Sequence, residues 1–117
     1  MRLNKVEKTA VSALEDIKAR NITVIDVRKL TTLYDTLIIA TADSARQVNA
    51  LAQHVRDALK KAGASILGVE GEQTGDWVLV DAGDLVVHIM QPATRSYYKL
   101  EELWTPPAPK RRAKALA

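Results

Sequence analysis

A long amphipathic segment near the middle of the chain constrains the fold more than any other feature. Ser44 precedes it, and Gln47, three residues further on, completes a capping box, the side-chain pattern that begins a helix. Gly63 is typical of a helix end. The segment predicts a helix of about five turns. Its apolar residues recur at the spacing of one buried helix face: Val48, Leu51, Ala52, Val55, Leu59 and Ala62.

Strand-like segments lie on both sides of this helix. Each is short and rich in β-branched or other aliphatic residues, and polar residues, glycine or proline separate the segments. Two precede the helix and three follow it, at residues 22–28, 36–42, 65–70, 77–81 and 85–91.

A further helix is predicted near each end of the chain. Asn4 and Glu7 form a second capping box, and the apolar stripe after them extends to about Arg20. Thr94 is placed to cap a last helix over residues 95–104, and the prolines beyond it exclude a continuation. The order α-β-β-α-β-β-β-α predicts an α/β fold, with a mixed five-stranded sheet and three helices. Antiparallel hairpins should dominate, and the long helix should make one parallel crossover.

Length and composition limit the classes of protein that fit. The 117 residues suit one domain, which we assign to residues 1–104, followed by a Pro-rich basic tail, 105–117, that we expect to be disordered. The chain has no cysteine, no apolar run long enough to span a membrane and no signal-peptide pattern, so we expect a cytoplasmic protein. Four of its 17 Lys and Arg lie in the tail, which leaves 13 against 14 Asp and Glu. The domain therefore lacks the basic surface of a nucleic-acid binder.

Motifs for catalysis and for cofactor binding are missing from the sequence. No glycine-rich phosphate loop occurs, and the spacing of His54 and His88 suits no metal site. Nucleotidyltransferases hold Mg²⁺ through carboxylates two residues apart on a strand, whereas Asp81 and Asp84 are three apart across a turn. We therefore expect neither an enzyme nor a cofactor. For His88, in the middle of a strand, a structural or interface role is the favoured interpretation.

Two neighbouring strands, 77–81 and 85–91, predict a protein-binding surface. In each, alternate residues are aliphatic and belong to the core, while the residues between them mix large apolar with polar side chains. Three helices can hardly cover both faces of five strands, so we expect the mixed face to be open; the alternative is that the last helix packs over it. All charged residues from 70 to 94 are acidic, which favours a basic partner. The mixed face would consist of Trp77, Leu79, His88 and Met90.

Several longer motifs resemble one known family. They follow one another in the family's order and spacing over residues 5–104. Through them the chain resembles the ribosomal silencing factor family (RsfS, also called Iojap). The tail lies outside this resemblance. The matching segments are residues 35–39, 43–48, 69–72, 76–81, 83–88 and 95–104.

The resemblance implies a fold and a function. The fold is similar to that of the nucleotidyltransferases but lacks their catalytic carboxylates. The family binds the large ribosomal subunit on its intersubunit face, through the fourteenth large-subunit ribosomal protein, and prevents the small subunit from joining. We therefore expect a translational repressor, without direct sequence-specific contact to nucleic acid. Organelle relatives imply the alternative, a large-subunit assembly factor. In the absence of its partner, the open face could pair two copies into a homodimer.

The positions that match the family are expected to share the contacts with the ribosomal protein. Trp77 and Leu79 are expected to be apolar anchors, with His88 and Met90 completing the surface on the neighbouring strand. Glu70 and Asp76 are expected to pair with Lys or Arg of the ribosomal protein. Arg95 and Tyr98 are expected to flank the surface at the start of the last helix.

Overall fold

The computed structural model describes residues 3–104, which form one mixed sheet with helices on both faces. The predicted order of elements is confirmed, except that the last helix is divided into two. The elements are α1 (Lys5–Asp16), β1 (Arg20–Asp26), β2 (Thr36–Thr41), α2 (Ala45–Lys61), β3 (Gly68–Glu70), β4 (Trp77–Asp81), β5 (Leu85–Met90), α3 (Pro92–Tyr98) and α4 (Leu100–Trp104). The tail predicted at 105–117 lies outside the described residues.

The strands lie in the order β1-β2-β5-β4-β3. Among these five strands, β2 and β5 are parallel and the other three pairings are antiparallel, so the predicted dominance of antiparallel pairs is confirmed. The parallel strands are joined through α2, β3 and β4, not through the helix alone. Helix α2 carries the chain from β2 to the far edge of the sheet, and two antiparallel connections then bring it back to β5. The predicted α/β fold with a mixed five-stranded sheet is therefore confirmed.

Helix α1 begins as predicted and ends earlier than predicted. The Asn4 side chain accepts a hydrogen bond from the backbone of Glu7, the Glu7 side chain accepts one from the backbone of Asn4, and both measure 2.8 Å. The helix ends at Asp16 because the backbone turns left-handed at Lys18, with φ of 62°. The side-chain amide of Gln47 donates to the carbonyls that follow the helix, so α2 stabilises this turn.

The two faces of the sheet carry separate apolar clusters. Helices α1 and α2 cover one face, where Leu14, Leu51 and Val80 belong to a single buried cluster. On the opposite face a smaller cluster includes Leu37, Met90 and Leu100. The expected division of side chains between the two faces of β4 and β5 is confirmed.

The C-terminal helices differ from the predicted single helix. Helix α3 begins at Pro92, since proline suits the first turn, and Thr94 lies inside the helix instead of capping it. Lys99 adopts the left-handed conformation, with φ of 49°, and separates α3 from α4. In the part of the chain described here, no helix is long and apolar enough to cross a membrane.

Candidate protein-binding face

The sheet face opposite α1 and α2 carries a row of aromatic rings. Trp77 projects from β4, with its ring centroid 5.7 Å from that of His88 and 4.9 Å from that of Tyr98. Tyr97 meets Tyr98 edge to face at 5.0 Å. Leu79, two residues after Trp77, lies on the same face. We call Trp77, Leu79, His88 and Tyr98 the aromatic face.

A hydrogen bond within the protein fixes the indole of Trp77. Its Nε1–H donates to Nδ1 of His88 over 2.8 Å. His88 is only 8% exposed, and this burial lowers the pKa of its imidazole to about 4, so the ring is neutral at physiological pH. Neutral Nδ1 can accept the indole proton, whereas a protonated Nδ1 could not. The polar edge of the indole is thus satisfied internally, and its apolar surface remains for a partner.

The turn before β4 fixes the backbone of Trp77. Gly71 has φ of 93°, a conformation that glycine adopts without strain. A Cβ atom at this position would lie 2.0 Å from the Trp77 carbonyl oxygen. Only glycine therefore permits this close approach between the turn and the first residue of β4.

Arg95 holds α3, the helix that carries Tyr98, against the sheet. The guanidinium donates to the Thr41 hydroxyl over 2.8 Å, to the Thr23 hydroxyl over 2.9 Å and to the backbone carbonyl of Asn21. It also forms a 2.9 Å ion pair with Glu101 of α4, and only 11% of the Arg95 side chain is exposed. Arg95 therefore ties both C-terminal helices to β1 and β2.

The Glu101 carboxylate is stabilised by this ion pair. Partial burial raises the pKa of the Glu101 carboxyl. Hydrogen bonds from its own backbone and from Arg95, together with the positive charge of Arg95, lower the pKa by more than burial raises it. The net effect keeps the pKa below its ordinary value, so the ion pair persists at neutral pH.

Acidic side chains border the aromatic face. Glu70, on the edge strand β3, pairs in register with Leu79 and is exposed. A shallow depression of about 240 Å³ lies between Glu70, Gly71, Trp77 and Leu79. Asp76, immediately before Trp77, is also exposed. This arrangement of an apolar centre with an acidic border suits a basic protein surface.

The structure brings five of the eight predicted contact residues onto one surface. Glu70, Trp77, Leu79 and Tyr98 are half-buried or exposed there, and His88 contributes a small part of its ring. Asp76 is exposed next to Trp77 in the chain, and its carboxylate accepts a hydrogen bond from the Gln91 side chain. Two predicted contacts lie elsewhere: Met90 is completely buried and Arg95 is occupied within the protein.

The expectation that Met90 lies on an open face is wrong. Leu100 of α4 belongs to the same buried cluster as Met90, so the C-terminal helices close this end of the face. The alternative considered from the sequence, that the last helix packs over the face, thus applies fully to Met90 and partly to Trp77, whose ring contacts Tyr98 of α3. Trp77 and Leu79 remain half-buried.

The sequence reasoning missed a groove at the other end of the face. Leu33, in the loop before β2, is 77% exposed, and Leu67, just before β3, is 68% exposed. Both line a groove of about 570 Å³ whose other walls include Leu79 and His88. The sequence offers one signal for this groove, because Leu33 is an aliphatic residue in the largely polar loop 31–35.

Within residues 3–104, no three His, Asp or Glu side chains come close enough together to hold an ion.

Known proteins similar to this chain identify its family. A family model described as "Ribosomal silencing factor during starvation" matches residues 2–116. The chain belongs to the ribosomal silencing factor family. Membership indicates a regulatory protein that acts on the ribosome.

Individual members of the ribosomal silencing factor family agree with this assignment. The ribosomal silencing factor of Chromobacterium violaceum is 54% identical over 104 residues, which cover 89% of this chain and 85% of that protein. A mouse protein named "Mitochondrial assembly of ribosomal large subunit protein 1" is 36% identical over 98 residues, 81% of this chain and 43% of its own length.

Solved structures confirm the fold. A crystal structure of a Chromobacterium violaceum protein has a TM-score of 0.86 and 52% identity, and the match covers 93% of this chain and 91% of that one. A crystal structure of a Bacillus halodurans protein has a TM-score of 0.76 and 32% identity, with 87% and 95% covered.

Proposed function

We propose that this silencing factor binds the large ribosomal subunit on its intersubunit face and blocks the small subunit from joining. The contact is made through the fourteenth large-subunit ribosomal protein, and the aromatic face provides it. The observation that carries the proposal is the row of Trp77, Leu79 and Tyr98 left open on a sheet face and bordered by acidic side chains.

The aromatic face has the composition of an interface centre. Trp and Tyr are the side chains that most often dominate the energy of protein contacts, because each buries a large rigid surface with little loss of conformational entropy. The indole N–H of Trp77 is already bonded to His88, so covering the ring leaves no donor unpaired. Arg95 holds Tyr98 in place before binding, which reduces the entropy lost on association.

The acidic border of the aromatic face supports a ribosomal protein as the partner. From residue 70 to residue 94 every charged side chain is acidic. A ribosomal protein that contacts RNA carries many Lys and Arg, and complementary charge speeds its encounter with an acidic surface. Glu70 beside Leu79 and Asp76 beside Trp77 are placed to pair with such residues at the border.

Inhibition by this mechanism requires no chemical step. A folded domain that occupies the site of an intersubunit contact excludes the second subunit by its volume. It remains in place when its own binding free energy exceeds the free energy that subunit joining would release. An interface of about 800 Å² on each partner is of the size that supports stable complexes. We accordingly propose a non-enzymatic, cytoplasmic repressor of translation without a cofactor.

Sedimentation of ribosomal subunits tests this function. Purified large and small subunits are mixed in Mg²⁺ with and without an excess of the protein and separated on a sucrose gradient. The proposal predicts a smaller peak of joined ribosomes and co-sedimentation of the protein with the large subunit. An unchanged peak, with the protein left at the top of the gradient, would refute it.

A second function is supported by the name of the mouse relative, which refers to assembly of the ribosomal large subunit. An assembly factor would use the same aromatic face on a precursor particle. The two functions differ in the particle they select. A repressor binds mature large subunits, whereas an assembly factor sediments mainly with immature ones and leaves the joining of mature subunits unaffected.

A further inference from the structure

The groove beside the aromatic face has the features of a second contact site. We define the leucine groove by its apolar walls, Leu33, Leu67, Leu79 and Val86, and by two acidic residues, Asp81 and Asp84. Its volume is about 570 Å³. Leu79 also belongs to the aromatic face, so the two surfaces are continuous.

The two exposed leucines on either side of the groove require an explanation. Leu33 and Leu67 lie on separate connections of the chain, and most of each side chain faces water. Single exposed leucines are common on protein surfaces, but two that border one apolar groove form a continuous patch, and such patches mark interaction sites. Each leucine contributes little to the core, so substituting it should change the stability of the fold only slightly. Its contribution to binding can therefore be measured separately.

The charges in the groove specify the occupant. Asp81 and Asp84 line it, and no Lys or Arg is found among its described lining residues. One oxygen of Asp81 accepts a hydrogen bond from the backbone of Gly83 over 2.9 Å, which fixes the carboxylate at the rim. Asp84 is exposed. An occupant must therefore offer an apolar side chain for the leucines and a cationic one for the carboxylates.

We propose that the leucine groove receives a segment of the large-subunit ribosomal partner that carries an apolar side chain next to Lys or Arg. This inference rests on the proposed function, because it assigns a second contact to the same partner. The apolar side chain packs between Leu33 and Leu67 above Leu79, and the cation pairs with Asp84. The groove thereby extends the interface from the aromatic face toward the loop that precedes β2.

Equilibrium binding of the full chain to purified large subunits tests the groove. The double variant Leu33→Ser, Leu67→Ser should weaken binding by about tenfold or more, since two apolar contacts are lost. Asp84→Lys should weaken it as well, and more strongly at low salt. The matched control is Leu30→Ser, which makes the same change in the same loop at a leucine that does not line the groove. It should bind like the unchanged protein.

The possible results separate this inference from the proposed function. If Trp77→Ala loses affinity while the groove variants and Leu30→Ser bind normally, the groove is not a contact and the proposed function stands. If the unchanged protein does not bind large subunits, the proposed function fails first. If the double variant abolishes self-association in sedimentation equilibrium and leaves subunit affinity unchanged, the occupant is a second copy of this chain and the inference is overturned.

Discussion

Trp77 and His88 form a hydrogen-bonded pair on adjacent strands, with the indole Nε1 2.8 Å from the imidazole Nδ1. The bond exists only with a neutral imidazole, and burial of His88 keeps that state favoured. The position of the Trp77 indole, at the centre of the aromatic face, therefore depends on the protonation state of His88.

Replacement of Trp77 by alanine should weaken binding to large subunits by about 2 kcal/mol or more, because a central aromatic anchor is lost. The measurement is a dissociation constant from titration of labelled protein with purified subunits, accompanied by a thermal melt. His54→Ala, at a half-exposed position on α2, is the control and should bind normally. Unchanged affinity of a folded Trp77→Ala variant would remove Trp77 from the interface.

The stability of the fold should fall as the pH falls from 6.5 toward 4. In this range the unfolded chain binds a proton at His88 that the folded protein, with the pKa of His88 lowered to about 4, does not bind. The effect amounts to at most about 3 kcal/mol. Urea unfolding at a series of pH values measures it.

Two variants, one at His88 and one at a neutral residue of α2, test the origin of this pH dependence. His88→Leu removes the titrating group and should flatten the change in the free energy of unfolding between these pH values. Gln53→Asn, at an exposed position of α2, changes no titrating group and should retain the slope of the unchanged protein. An equal slope in His88→Leu would assign the pH dependence to other groups.

Replacement of Arg95 by lysine should destabilise the protein and loosen α3. Lysine keeps the charge but cannot reach Thr23, Thr41 and Glu101 at once, so the expected loss is about 2–3 kcal/mol. Faster amide exchange in α3 would accompany it. Arg20→Lys is the control, because its ion pair with Asp43 is exposed and such pairs contribute about 1 kcal/mol or less. Equal effects of the two changes would contradict the role assigned to Arg95.

Reversal of the acidic border should slow association. The double variant Glu70→Lys, Asp76→Lys places cations beside the aromatic face, and we expect the association rate with large subunits to fall by about tenfold at low salt. Stopped-flow fluorescence at several salt concentrations measures it. Asp57→Lys, an exposed change on α2, should leave the rate near that of the unchanged protein. A loss that persists undiminished at high salt would point to a cause other than electrostatic steering.

The parts of the fold predicted well from sequence depend on local patterns. The cap at Ser44 and the alternation along β4 and β5 are properties of neighbouring residues, and these elements begin and end within one or two residues of the predicted positions. The end of α1 depends instead on Gln47, thirty positions beyond Ile17, whose amide binds the carbonyls after the helix. No local pattern contains that contact.

The same distinction applies to the candidate site. Trp77, Leu79 and His88 could be placed on one face because a strand alternates. The burial of Met90 follows from α4, and the position of α4 follows from Arg95 bonds to β1 and β2, which lie more than fifty residues earlier in the chain. No local pattern contains these long-range bonds, so the sequence predicts Arg95 as a contact that flanks the face. Its observed bonds are internal.

Site-specific photocrosslinking can show whether the aromatic face is the surface that meets the ribosome. A benzophenone amino acid is placed at Tyr98 on the aromatic face, or at exposed Ser12 of α1 as the matched probe on the opposite side, and each protein is irradiated in complex with purified large subunits. We expect position 98 to crosslink to the fourteenth large-subunit ribosomal protein and position 12 not to do so. Crosslinks to that protein from position 12 alone would contradict the assignment of the aromatic face as the ribosome-binding surface.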